Sequence, residues 1–485
     1  MTFVSDLDPR ELWAHFDKIL TIPRGSKKEK QMGEYVIERA TKHGLAHKQD
    51  SLGNIVVSKP GTAGCESAPV TILQSHLDMV NEKNADVEHD FDKDAIRPRQ
   101  QGDYLTATGT TLGSDNGIGV AAALAIMESD TVKHGPMEFL FTVDEETGLT
   151  GAGGLSNDFL QGRCLINLDT EEEGSLYVGC AGGAGINLTL ELNTTDVPPG
   201  TVALDLKLHR LRGGHSGVDI HLQRGNAVKL LTRALVAVRK TMTFDLVSLT
   251  GGNMHNAIPR EAFATVAIAP GDKDGFETAF KRQISAIEAE FKPAEPEMTF
   301  ELSERSADKM LHSQSARTVL NLLNTLPHGV MAMSYDIPDL VETSSNLASV
   351  KVEDHQMHIH VSNRSSVDSA IHAIQDRVAS MGALAGAKIE EAEGYPGWKP
   401  DLDSRVLKIA QEVHKQVLGK EPAIKAIHAG LECGIIGEKY PGMDMVSLGP
   451  QIEFPHSPDE RVRIGSVADF YKLLVGILER LAREK

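Results

Sequence analysis

The sequence predicts an α/β fold: a catalytic domain with a mostly parallel sheet flanked by helices, carried by two segments of chain and interrupted by an inserted α+β domain. Three observations predict it. Short apolar runs at Val70–Leu73, Phe139–Val143 and Cys164–Leu168 alternate with helical patterns in the first third, as buried parallel strands do. From Ile186 to about Glu393 the pattern becomes period-two alternation with amphipathic helices, which fits an antiparallel sheet covered on one face. From Tyr395-Pro396-Gly397-Trp398 onward the first pattern returns. We therefore expect the catalytic domain at 1–185 and 394–485 and the inserted domain at 186–393, an arrangement tolerated where chain ends lie close together.

Each element has a local reason. A first helix is expected with Asp8 as its cap and Pro9 at its first helical position, burying Leu12, Trp13, Phe16, Ile19 and Leu20. Ser26 and Glu29 have the spacing of a capping box for a second helix that stops near Gly44. Strands follow at 54–58 and 70–74, a helix from about Asn116 through Met127, and strands at 137–143 and 163–168. The inserted region shows alternation at Val202–Leu208 and Gln356–Val361 and two helices, near 226–240 and 275–291. A helix at about 404–418, a strand at 445–448 and a final helix complete the chain.

Composition narrows the class. At 485 residues, 41% hydrophobic and 24% charged, the chain is an ordinary globular protein. A net charge of -19 without a basic cluster excludes nucleic acid as a partner. No apolar run reaches membrane-spanning length, and Met1–Asp6 lacks the basic and apolar regions of a signal peptide, so a cytoplasmic location is expected. Cys65, Cys164, Cys180 and Cys433 form no CxxC pair and are expected to be buried reduced thiols.

The chemistry sits at the ends of the apolar runs, where open α/β sheets bind ligands. They lead into His76-Leu77-Asp78, Asp144-Glu145-Glu146 and Asp169. Carboxylates and imidazole gathered at one rim call for a cation among them. Asp78 has the spacing to anchor His76 as a ligand. Asp115, in Gly113-Ser114-Asp115-Asn116-Gly117, could equally cap a helix. Gly117-x-Gly119-x-x-Ala122 resembles a dinucleotide fingerprint, but the preceding Thr110–Gly113 is not strand-like. Glu145 and Glu146 can divide labour, one on metal and one as general base. Late in the chain, His456 stands between Pro455 and Pro458. Three ligating carboxylates and one hydroxide nearly neutralise two divalent cations but would overcharge one. The donor set suits zinc, manganese or cobalt.

The ordered set His76-x-Asp78, Asp115-Asn116, Glu145-Glu146, Asp169, Gly214-His215-Ser216-Gly217 and His456 resembles the M20 family of metallopeptidases over essentially the whole chain. Gly182-Gly183, Tyr395-Pro396-Gly397-Trp398 and His428–Gly434 add to it. The resemblance implies two divalent metal ions, zinc first and manganese or cobalt as alternatives. His76 and Asp169 would hold one, Glu146 and His456 the other, and Asp115 would bridge them through a residue whose peptide bond to Asn116 is cis. Asp78 would orient His76, and Glu145 would be the general base. It further implies that the inserted domain is a lid and dimerisation domain. There His215 would contact the oxyanion, Arg364 would grip the substrate carboxylate, and Asn256 would touch substrate. The expected activity is hydrolysis of unblocked dipeptides, including those ending in histidine, by a homodimer. The alternative is an amidohydrolase acting on N-acyl amino acids.

Overall fold

The computed structural model describes residues 2–392 and 394–484. The chain divides into two compact units. The first runs up to Gly179 and resumes over Pro400–Ala426 and from Leu431 onward. The second comprises Cys180–Lys399 with Ile427–Gly430. The first boundary thus falls a few residues before the expected 185/186, because strand Gly182–Glu191 ladders with Gln356–Ser365 of the second unit. The expected boundary residue Glu393 lies outside the described residues.

The first unit is built on an eight-stranded sheet. At its centre Met137–Thr142, Thr71–His76, Cys164–Asn167 and Asp444–Ser447 lie side by side and parallel. Ala46–Gln49 and Ile55–Lys59 extend one side antiparallel, and Ser175–Cys180 pairs antiparallel with Asp444–Ser447. Parallel pairing thus joins the four central strands to one another. Two of these, Thr71–His76 and Met137–Thr142, are buried at every position, which explains why they read as continuous apolar runs. A smaller sheet of Pro98–Gln101, Tyr104–Ala107, Ile452–Glu453 and Arg461–Arg463 escaped the sequence reading, its strands being too short to show a period.

Helix Arg10–Ile19 buries Leu12, Trp13, Phe16 and Ile19 as expected, but it starts one residue later than expected: Pro9 is its extended N-cap, and no side chain, Asp8 included, caps it. The capping box does not form. Helix Lys30–Lys42 has no side-chain cap. Ser26 instead donates to Asp78 Oδ2 at 2.8 Å, and Glu29 accepts from the N–H of Lys27 and of Asp144. Tertiary partners have outbid the local motif. Ser404 does cap Arg405–Leu418, accepting from the Leu407 N–H at 3.0 Å. Cys180 and Cys433 are buried, but Cys65 and Cys164 are only partly buried, not fully as expected.

The second unit is an α+β structure on a nine-stranded sheet, with every described pairing antiparallel. Ala227–Val238 and Lys273–Phe291 match the two expected helices; Ser313–Thr325 and Asp368–Ala385 are two more that the sequence reading missed. All four bury side chains in the same core as Leu204, Leu206 and Leu208. Phe139, fully buried in the parallel sheet, tests this architecture. Phe139→Ala should cost about 3–5 kcal/mol of stability, read as a fall in the urea midpoint. An unchanged midpoint would place the strand outside the core.

Candidate metal centre and substrate-binding residues

In the first unit, the carboxyl ends of three parallel strands and two loops bring together His76, Asp115, Glu146, Asp169 and His456. His76 closes its strand, Asp169 follows the end of Cys164–Asn167, and Glu145-Glu146 open a short helix after Met137–Thr142. Asp115 lies at a break in helix Ser114–Glu128, where its ψ of 115° is not helical, and its peptide bond to Asn116 is cis. His76 Nε2 lies 3.1 Å from Asp115 Oδ1 and 3.4 Å from Asp169 Oδ1. His456 Nε2 lies 3.2 Å from Asp115 Oδ2 and 2.9 Å from Glu146 Oε2.

That geometry fits divalent ions. An imidazole nitrogen carries at most one proton, yet each Nε2 faces two carboxylate oxygens. Asp115 offers one oxygen to each histidine, as a bridging ligand would. Ligand atoms of His76, Asp115 and Glu146 all lie within 4.8 Å of one another. Glu146 Oε1 is buried without a hydrogen-bond partner. Nitrogen and carboxylate donors without thiolate are a zinc, manganese or cobalt set.

The surrounding residues fix these donors. Asp78 Oδ1 sits 3.3 Å from His76 Nδ1 and accepts the Glu145 N–H at 3.1 Å, while Oδ2 accepts the Glu146 N–H at 3.2 Å. One buried carboxylate therefore orients the histidine and the turn bearing both glutamates. Burial pushes the Asp78 carboxyl up, but His76, Ser26 and the Glu145 N–H outweigh it and bring it to about 2. Asp144 adopts φ 52°, a left-handed conformation costly for a non-glycine residue. Its N–H is held by Glu29 and its carboxylate by the Thr147 and Thr150 hydroxyls. Burial drives Glu145 well above the ordinary carboxylate range, reinforced by Asp169, Glu146 and Glu432 against the pull of His76.

Beneath the rim lies a polar layer that the sequence reading missed. Gln74 donates to Glu432 Oε2 at 2.6 Å and accepts from Asn167 at 2.5 Å. Thr142 donates to the same Glu432 oxygen at 2.7 Å, and Ser447 donates to Asn167. Each central strand thus supplies one polar group directly under the ligands. Burial raises Glu432 to about 7. The signal was present in Gln74, a polar residue directly after an apolar run and two residues before His76.

The second unit gathers the other expected residues by itself. His215 Nδ1 accepts the N–H of Gly217 at 3.2 Å and of Val218 at 3.1 Å. Burial and Arg364 lower the imidazole to about 4. At neutral pH it is therefore uncharged with its proton on Nε2, a donor by construction. The Asn256 carbonyl accepts the Ser216 N–H at 2.7 Å and helps hold the turn. Arg364, 7% exposed, donates to the Tyr395 hydroxyl at 2.8 Å, and its Nε has no partner. Neighbouring His428 pairs with Ser344 at 2.7 Å, and burial with Arg364 lowers it to about 3.

Comparisons with known proteins show what the whole chain is similar to. Residues 72–480 match Peptidase family M20/M25/M40. The cytosol non-specific dipeptidase of Escherichia coli (strain K12) is 43% identical over 482 residues, covering 99% of both chains. The crystal structure of aminoacylhistidine dipeptidase from Vibrio alginolyticus superposes with a TM-score of 0.92 at 42% identity, covering 99% of this chain and 98% of that one. The aminopeptidase PepT of Bacillus cereus, at 16% identity and a TM-score of 0.57, covers 98% of this chain and 100% of its own, and shares the fold.

Asp78 provides a direct test of the centre. Asp78→Ala frees His76 Nδ1 and leaves two backbone N–H groups without an acceptor. Metal affinity measured by calorimetric titration should fall about 10–100-fold. Unaltered affinity would remove Asp78 from the support of the centre.

Proposed function

The chain belongs to peptidase family M20/M25/M40, and on that premise we propose that it is a two-metal dipeptidase cleaving unblocked dipeptides, those ending in histidine among them. The observation that carries this reading is the Asp115 carboxylate, with one oxygen toward His76 and the other toward His456. His76 and Asp169 would hold one ion, Glu146 and His456 the other, and Asp115 both. Zinc is the first expectation, with manganese or cobalt as alternatives. When bound, the ions polarise the peptide carbonyl and acidify water.

The chain's own groups do the rest. Glu145 follows a fixed turn and has no ligand duty once Glu146 has one. Its carboxylate takes a proton from the attacking water and delivers it to the leaving amine nitrogen, which departs as a neutral amine. His215 Nε2–H donates to the carbonyl oxygen as negative charge develops there. Arg364, with its unpartnered Nε, receives the terminal carboxylate of the substrate, and Asn256 lines the same site. A free carboxylate gripped this way favours short substrates over internal peptide bonds.

By the same resemblance, the inserted unit is the lid and the dimerisation domain of a homodimer. The cytoplasm is the proposed location, in keeping with the cytosolic relative. No helix among the described residues is long and apolar enough to cross a membrane.

A panel of free and N-blocked dipeptides, assayed with each added metal, tests the reading. Free dipeptides should be hydrolysed and N-acyl amino acids should not. Preference for the blocked substrates would favour the N-acyl amino acid amidohydrolase instead. Glu145→Ala should keep both ions and lower kcat by about 10²–10⁴; metal lost together with activity would contradict its role. Arg364→Ala should raise KM for dipeptides, whereas an unchanged KM would put the carboxylate grip elsewhere.

A further inference from the structure

Glu460 lies four residues beyond His456 and is 2% exposed. Its carboxylate is set into a row of consecutive backbone amides leading into Asp115. Oε2 accepts the N–H of Leu112 at 2.8 Å and of Gly113 at 2.9 Å. Oε1 accepts the Ser114 N–H at 2.7 Å, the Ser114 hydroxyl at 2.6 Å and the Asp115 N–H at 3.3 Å. Four successive N–H groups can point to one side because Gly113 takes φ 72°, where a side chain would also meet Arg24 and Met79. On the opposite side the buried Arg24 donates to the Gly113 carbonyl and to the carbonyls of Leu77 at 3.0 Å and Asp78 at 2.6 Å. Arg24 and Glu460 therefore clamp one peptide unit from its two ends. The Thr106 hydroxyl takes the Glu460 carbonyl at 2.8 Å, tying the His456 loop to the smaller sheet.

We propose that Glu460 is a positioning residue of the metal centre that locks the Asp115 loop to the His456 loop. The inference rests on the two-metal reading. Of the three side chains assigned to the Glu146 and His456 ion, two depend on this lock: His456 and Asp115. The ion of His76 and Asp169 depends on it only through Asp115, since its other ligands stand at the ends of parallel strands. Loss of Glu460 therefore weakens the first of these ions selectively. Glutamine keeps the volume but turns an NH₂ toward backbone donors, so Glu460→Gln breaks the lock without opening a cavity.

Two measurements test it. In metal-free wild type, hydrogen exchange should show the amides of residues 112–115 protected although they lie at a loop, and Glu460→Gln should exchange there about tenfold faster. Titrated with Mn²⁺ or Zn²⁺ in a calorimeter, wild type should bind two ions. Glu460→Gln should bind one of them about 10–100-fold more weakly and the other with much less change. If Glu460→Gln does not accumulate folded, Glu460→Asp, which withdraws the carboxylate by one methylene, should give the same pattern. Equal weakening of both ions would indicate a merely structural role and overturn the proposal. So would unchanged affinities, or wild-type amides at 112–115 exchanging as freely as exposed loops. Wild type binding fewer than two ions would overturn the two-metal reading and the selective effect with it; the exchange data would still decide whether Glu460 holds the loop.

Discussion

The Asp115 carboxylate divides its two oxygens between two imidazoles whose residues are separated by most of the chain, and the rest of the first unit is arranged to permit this. Around it stand Glu145, Glu146, Asp169 and Glu171, all buried enough for burial to raise their carboxyls. Asp115 moves the other way: burial pushes it up, but the His456 and His76 imidazoles pull it well below its usual range. Two like charges 4 Å apart repel by about 4 kcal/mol at an effective dielectric of about 20. A domain's whole stability is about 5–15 kcal/mol. Several such carboxylates can share one rim in their ionised form only with positive charge among them, and two imidazoles do not supply enough. The acidity of the centre is thus an argument for divalent ions before any family is considered.

Precision then comes from groups that never touch substrate. Asp78 ties His76 to the Glu145-Glu146 turn, the Glu432 layer fixes the strand ends from below, and Glu460 with Arg24 fixes the Asp115 loop. Asp78, Glu460 and Arg24 are each satisfied by several donors or acceptors, the condition under which burying charge is tolerable; Glu432 takes its two donors on Oε2 and leaves Oε1 without a partner. His456 differs. Its side chain is 51% exposed, and hydrogen bonds to Asp115 and Glu146 raise it to about 11. Of the proposed ligands it has the least packing behind it, and it most needs its loop held. In the second unit, His215 and Arg364 are prepared in a complementary way, one neutral with a defined donor proton and one charged with a donor unspent.

Much of this was legible in the sequence for a physical reason. Buried parallel strands carry mostly apolar side chains, so the point where an apolar run gives way to polar residues lies near the strand end, and His76, Glu145, Glu146 and Asp169 all stand close to it. Asp115 and His456 could be singled out locally, but their roles came from the ordered resemblance, because a loop residue has no period to betray it. What stayed hidden was support whose partners are remote. Ser26 and Glu29 have capping-box spacing but serve Asp78 and Asp144, and nothing local distinguishes the two uses. Glu460 reads as one more acidic residue in Pro458-Asp459-Glu460 until the amides of 112–115 are placed against it. The helices Ser313–Thr325 and Asp368–Ala385 were missed within a region read chiefly for alternation.

Anomalous scattering from crystals of the manganese- or zinc-loaded protein addresses the central claim most directly. Two peaks are expected per chain, one between His76 and Asp169 and one between Glu146 and His456, with Asp115 touching both. A single peak, or a pair that leaves Asp115 outside the coordination of either ion, would contradict the account.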